Sequence, residues 1–169
     1  NECCEELRSR SIFSLMGNHD WYLATGEACP RSNSANRCLD YQRQRLSEVN
    51  KKWLASLKPQ AEIGPLSIVH GGWGDPIDEY VVPSVAYFSR LNGSMFASGH
   101  THVPCVWEGG GKKYCNPGSV GQPRDGDPRA AFAVWDGAGF VLHRVGYNYS
   151  LVQAAMKKCD SLDQAYDPK

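Results

Sequence analysis

Apolar residues occur along this chain in short runs, each closed by glycine or a polar turn. Ser11 to Met16 runs into Gly17-Asn18-His19-Asp20, Leu66 to Val69 ends at His70-Gly71-Gly72, and Ser94 to Ala97 leads into Gly99-His100-Thr101-His102. Short apolar runs between turn signals read as buried strands, so a strand is predicted at each. Further on, Val106 to Glu108 and Lys112 to Cys115 flank three glycines, the pattern of a hairpin. Ala130 to Trp135 and Phe140 to Val145 predict two more antiparallel strands around Asp136-Gly137.

Other stretches carry helical spacing. Residues 2–9 suit one or two turns. Leu39, Leu46, Val49, Trp53, Leu54 and Leu57 mark one apolar face of a single helix, capped by Ser34 or Asn36 and stopped at Lys58-Pro59. Val85 to Leu91 and Leu151 to Cys159 predict two shorter helices, the second followed by a polar tail. Residues 21–36 and 73–83 read as loops. Strands alternating with helices, then a run of antiparallel strands, predict α/β layers in a single domain over residues 1–169.

Composition narrows the function classes. A chain of 169 residues buries a core without crosslinks. Its 18 basic and 18 acidic side chains give a formal net charge of +0, which argues against a nucleic-acid polymer or an anionic membrane as partner. The seven cysteines form no Cys-x-x-Cys pair and read as reduced thiols, and no apolar run spans a bilayer. A cytoplasmic location is expected.

Four of the five histidines fall in the three turns that close the apolar runs. Ligands of open α/β sheets bind beyond the carboxyl ends of the strands, so parallel neighbours would gather Asn18, His19, His70, His100 and His102 on one edge. Two histidines at i and i+2 in extended backbone aim the same way, with Gly99 supplying the turn, and neutral imidazole is a common metal ligand. Asp20 either orients His19 or caps the next segment. Asn116, Gly118 and Ser119 read as turn-formers first, with a supporting role at the site as the alternative. Arg124 either meets an anionic substrate or pairs with Asp125 or Asp127. Trp21, Tyr22 and Trp73 either wall a pocket or pack a core, and His143 reads as a packing or surface residue.

The series Gly17-Asn18-His19-Asp20, Val69-His70-Gly71-Gly72 and Gly99-His100-Thr101-His102-Val103-Pro104 resembles the calcineurin-like metallophosphoesterases. The stretch Asn116 to Val134 is similar to their small bacterial branch. The resemblance implies a layered αββα sandwich and hydrolysis of phosphomonoesters or phosphodiesters by a hydroxide held between two divalent ions. Manganese is the first expectation for the metal, with iron, zinc, nickel and cobalt as alternatives. It assigns Asn18, His70 and His100 to one ion and His102 to the other. His19 would protonate the leaving alkoxide, with Asp20 beside it, on a small phosphorylated or nucleotide-like substrate.

The chain departs from that family at its beginning. The Asp-x-His and Gly-Asp motifs, which supply the remaining ligands and the bridging carboxylate, have no match before Gly17, and the first strand-helix-strand unit is lacking. There is no initiating methionine either, so a longer protein is expected. The competing reading is a non-catalytic interaction scaffold on the same fold with an incomplete metal centre.

Overall fold

The computed structural model describes residues 1–158. They divide into two compact units, residues 59–147 forming one and the segments on either side the other.

The first unit opens with α1 (Glu2–Ser9), as the sequence predicts. The strand expected at Ser11 to Met16 does not form. Met16 N–H donates to the Lys58 carbonyl at 2.9 Å, and Leu15 and Lys58 make one isolated parallel bridge. A strand needs a ladder of such bonds, and a single bridge leaves Ile12 and Phe13 exposed while Met16 alone is buried. The turn expected at Gly17 to Asp20 is instead the start of α2 (Asn18–Thr25). Gly17 caps it in extended backbone, and its N–H donates to Asp20 Oδ2 at 2.9 Å. Gly26, at φ 82°, closes the other end in the left-handed conformation that suits glycine.

The single helix expected next is two, α3 (Asn33–Arg43) and α4 (Glu48–Ser56). Ser32, rather than Ser34 or Asn36, caps α3, its Oγ accepting from Ala35 N–H at 3.1 Å. Asn36 bonds the backbone N–H and carbonyl of Cys29 at 2.7 and 3.0 Å and pins the preceding loop. Ser47 breaks the run by accepting from Asn50 N–H at 3.3 Å, the competition by which serine favours a cap over a helix interior. Tyr22, Cys29 and Leu39 form the buried cluster of this unit, so Tyr22 belongs to the core.

The second unit is built on a mixed sheet. β1 (Gln60–Ile63) turns at Gly64-Pro65 into β2 (Leu66–Val69). The sequence pattern does not predict β1, because three of its four side chains are exposed and no apolar run marks it. After the predicted irregular loop comes α5 (Val85–Phe88), shorter than expected and capped by Ser84 Oγ, which accepts from Tyr87 N–H at 3.1 Å. β3 (Met95–Ser98), β4 (Cys105–Gly109) and β5 (Lys112–Asn116) complete the order β1-β2-β3-β5-β4. β2, β3 and β5 run parallel, and β1 and β4 are antiparallel edges. β6 (Ala130–Trp135) and β7 (Phe140–Val145) pair separately as the predicted antiparallel hairpin.

Val81, Phe88, Phe96 and Tyr114 form the core of this unit. Trp73 packs edge-on against Phe96 at 5.1 Å, and its Nε1–H donates to Ser67 Oγ at 2.9 Å. Its place is therefore in the core, with its polar edge satisfied. Tyr114 and Ser98 hydroxyls share a buried 2.9 Å bond, and burial pushes the Tyr114 phenol up to about 12. The chain returns to the first unit as α6 (Tyr149–Lys157); the end expected at Cys159 and the polar tail lie outside the described residues. No helix among the described residues is long and apolar enough to cross a membrane.

Candidate metal centre

Because β2 and β3 run parallel and adjacent, their carboxyl ends deliver two of the candidate histidines side by side. His70 follows β2 directly, and Gly99 N–H donates to its carbonyl at 2.9 Å, extending the strand pairing by one bond. His100 follows one residue later and is buried, 6% exposed. Its Nδ1 lies 3.2 Å from His70 Nε2, the rings edge to face with centroids 5.0 Å apart. Histidine nitrogens bind Zn²⁺ at about 2.0–2.1 Å, so two ligands of one tetrahedral zinc stand roughly 3.3 Å apart. The observed separation is a hydrogen-bond distance between the two imidazoles and lies close to that spacing.

The loop after His70 turns back over it. Gly71 and Gly72 N–H donate to the Pro76 and Asp75 carbonyls at 2.8 and 3.0 Å. A Cβ on Gly71 would stand 2.8 Å from the Asp75 carbonyl oxygen, so the glycine is required by close approach of backbone. Glu79 fixes the loop by accepting from Gly74 and Asp75 N–H at 2.7 and 3.1 Å. The result brings two residues that sequence reasoning passed over to His100. Asp78 Oδ1 is 3.9 Å from His100 Nε2, and the Tyr80 ring lies 4.4 Å from the His100 ring. Nothing in the residues themselves marks them, because an irregular loop has no period from which to read a facing.

The backbone of the third turn differs from expectation. Gly99 does not supply the bend; His100 and His102 do, at φ 63° and 60°. Thr101 N–H donates to the Gly99 carbonyl at 2.7 Å, a three-residue γ-turn centred on His100. Non-glycine residues in this region cost about 1–3 kcal/mol each and concentrate at functional sites. The two rings accordingly do not share one side through strand geometry. His102 instead bonds by Nδ1 to the Gln122 carbonyl at 2.8 Å. A carbonyl only accepts, so Nδ1 carries the proton, and in the neutral imidazole the lone pair is then on Nε2.

Asn18, His19 and Asp20 lie in the first unit, at the N-terminus of α2. Asn18 is buried and His19 exposed. Asp20 has the capping bond to Gly17 described above; burial raises its carboxyl above the usual range, and the Gly17 N–H works against that rise. Arg124 does not pair with its acidic neighbours. Asp127 binds Arg129, with their closest atoms at 2.6 Å, Asp125 pairs with Arg144, and Arg124 N–H donates to the His102 carbonyl at 3.1 Å. His143 is exposed and stacks on Phe132 at 5.2 Å, in keeping with the packing or surface role expected of it. Among the described residues no group of three or more His, Cys, Asp or Glu side chains is placed to hold a metal ion, so the fit to a metal rests on the two nitrogens of His70 and His100.

A family model described as the calcineurin-like phosphoesterase superfamily domain matches residues 1–138. The chain belongs to that superfamily. It is 30% identical to an uncharacterized protein of Methanocaldococcus jannaschii, the match covering 93% of this chain and 73% of the relative. The crystal structure of a metallophosphoesterase from Sphaerobacter thermophilus superposes with a TM-score of 0.80 at 29% identity, over 98% of this chain and 80% of that one. A hypothetical protein from Pyrococcus horikoshii shares the fold, also at TM-score 0.80, with 17% identity over 99% and 78% of the two chains. The mixed α/β architecture is thus the metallophosphoesterase fold, and membership supports phosphoester hydrolysis as the general chemistry. Superfamily members generally use divalent metal ions.

Proposed function

We propose that this chain hydrolyses phosphomonoesters or phosphodiesters of small, phosphorylated or nucleotide-like molecules. The observation that carries the reading is the 3.2 Å approach of His70 Nε2 and His100 Nδ1 across adjacent parallel strands. His70 and His100 would hold one divalent ion, with the Asn18 carbonyl oxygen as a neutral third donor by family resemblance, and His102 Nε2 would serve a second. Manganese is the first candidate, with iron, zinc, nickel and cobalt close behind, since nitrogen and oxygen donors accept all of them. When bound, such an ion polarises the phosphoryl oxygens and acidifies a water for in-line attack. His19, exposed on the first turn of α2, is assigned to protonate the leaving alkoxide, a role suited to an imidazole near neutral pH.

A second reading, an interaction scaffold, draws on the β6–β7 hairpin. Val134 and Val141 are paired across it and are 48% and 55% exposed, and Val145 lies on the same face. An apolar strand face of this kind suits a protein partner. Titration with Mn²⁺ alongside hydrolysis of bis-p-nitrophenyl phosphate separates the two. The enzyme reading expects metal binding and turnover, with turnover lost and binding kept in His19→Ala. Turnover that survives His19→Ala removes that residue's assigned role, and absence of turnover with all five metals on both bis-p-nitrophenyl phosphate and p-nitrophenyl phosphate favours the scaffold.

A further inference from the structure

One buried side chain ties together the backbone that presents both site histidines of the third turn. Asn116, the last residue of β5, is 1% exposed. Its Nδ2 donates to the Gly99 carbonyl at 2.6 Å and to Thr101 Oγ1 at 3.0 Å. Those two residues flank His100, and they are the same pair that close the γ-turn. Thr101 Oγ1 in turn accepts from Val103 N–H at 3.2 Å, beyond His102. Each left-handed histidine is thereby bracketed by groups that lead back to Asn116.

The other end of the amide reaches the second support. Asn116 Oδ1 accepts from Gly118 N–H at 2.9 Å. Gly118 turns at φ 82°, where a Cβ would stand 2.8 Å from that of Ala131. Ser119 Oγ then accepts from Gln122 N–H at 2.9 Å. Gln122 is the residue whose carbonyl fixes the His102 tautomer. Three hydrogen bonds of this buried amide therefore go to the two segments that carry His100 and His102, and it also bonds the Tyr114 hydroxyl.

We propose that Asn116 is the positioning residue of the metal centre, holding His100 in its left-handed turn and, through the 118–122 loop, fixing the His102 tautomer. The backbone of this strained turn does not hold itself, because a non-glycine residue at such a φ persists only where its surroundings over-determine it. Only an amide fits this position, which needs two donor bonds on one side and an acceptor on the other; neither a carboxylate nor an alkyl group supplies both. The metal-binding consequence rests on the proposed phosphoesterase reading; the conformational one does not.

The test uses the full chain. Asn116→Asp keeps the acceptor for Gly118 and the shape, and sets a carboxylate oxygen against the Gly99 carbonyl. Thr101→Val removes one of the two donor contacts, and Thr101→Ser restores it. Mn²⁺ titration calorimetry is expected to show affinity lowered by about tenfold or more in Asn116→Asp, by less in Thr101→Val, and recovered in Thr101→Ser. Nitrogen-15 NMR of the metal-free protein is expected to show the Nδ1–H tautomer at His102 in the wild type and a mixture in Asn116→Asp. A folded Asn116→Asp with wild-type affinity and an unchanged His102 tautomer overturns the proposal. If that variant does not fold, equal affinity of Thr101→Val and Thr101→Ser overturns it instead. If the wild type binds no Mn²⁺ yet the tautomer shifts in Asn116→Asp, the clamp stands and the metal reading falls.

Discussion

At the scale of single residues, the candidate histidines are conspicuous in the sequence and their conformation is not. His70, His100 and His102 stand out because they follow apolar runs. The left-handed φ of His100 and His102 has no signature in residue type, beyond histidine tolerating that region better than most. The conformation has a measurable consequence. His102→Gly relieves the strain, loses the Nδ1–H bond to Gln122 and adds backbone entropy to the unfolded chain, contributions of about 1 kcal/mol each and of mixed sign. Stability of the metal-free protein in urea is expected to change by less than about 1 kcal/mol. His102→Val keeps the strain and adds β-branching, and is expected to lose about 2–3 kcal/mol. Equal losses in the two variants would show that the ring, rather than the backbone, decides stability at this position.

Among the elements, the sequence is legible where a period or a glycine turn dominates. β2, β3, the β4–β5 and β6–β7 hairpins and α1 follow from pattern. It misleads where one polar side chain redirects the backbone. Ser47 divides a helix whose apolar face runs on in sequence, and Gly17 with Asp20 converts an apparent turn into a helix start. Asp20 shows how to test such a junction. Asp20→Asn retains an oxygen for Gly17 N–H and is expected to stay within about 0.5 kcal/mol, whereas Asp20→Ala loses about 1 kcal/mol by urea unfolding. If Asp20→Asn keeps its stability but loses turnover, the carboxylate acts on the chemistry in addition to the cap.

The 125–129 loop is a second junction held by polar groups. Arg129 donates to Asp127 from its side chain and its backbone N–H, and these bonds hold the Asp127 carboxyl well below the usual range. A depressed carboxyl contributes stability above its unfolded value, near 3.9, and loses it as pH falls through the folded value. Asp127→Asn should therefore be less stable than wild type at pH 7, with the gap closing as pH drops below about 4. Thermal midpoints of the two proteins between pH 3 and 7 measure this. The effect is expected to be small, because these groups are exposed and screened by salt.

At the scale of the molecule, the sequence carries the family more securely than the architecture of its own first third, where a predicted strand is a single bridge. The two-histidine fit can be weighed against the stability of the whole chain. An ion that binds the folded state alone stabilises it by RT ln(1 + [L]/Kd), about 2.7 kcal/mol at a hundredfold excess over Kd. In a chain of 150–250 residues each kcal/mol moves the midpoint by about 2–4 °C, so Mn²⁺ at that excess should raise it by roughly 5–11 °C and EDTA should reverse the rise. His70→Asn and His100→Asn should each abolish it. His102→Gly should leave a rise in place, since the His70–His100 pair is independent of His102 Nε2. A rise equally large in His70→Asn would mean that the ion binds elsewhere, and that the 3.2 Å approach is only a hydrogen bond between two imidazoles.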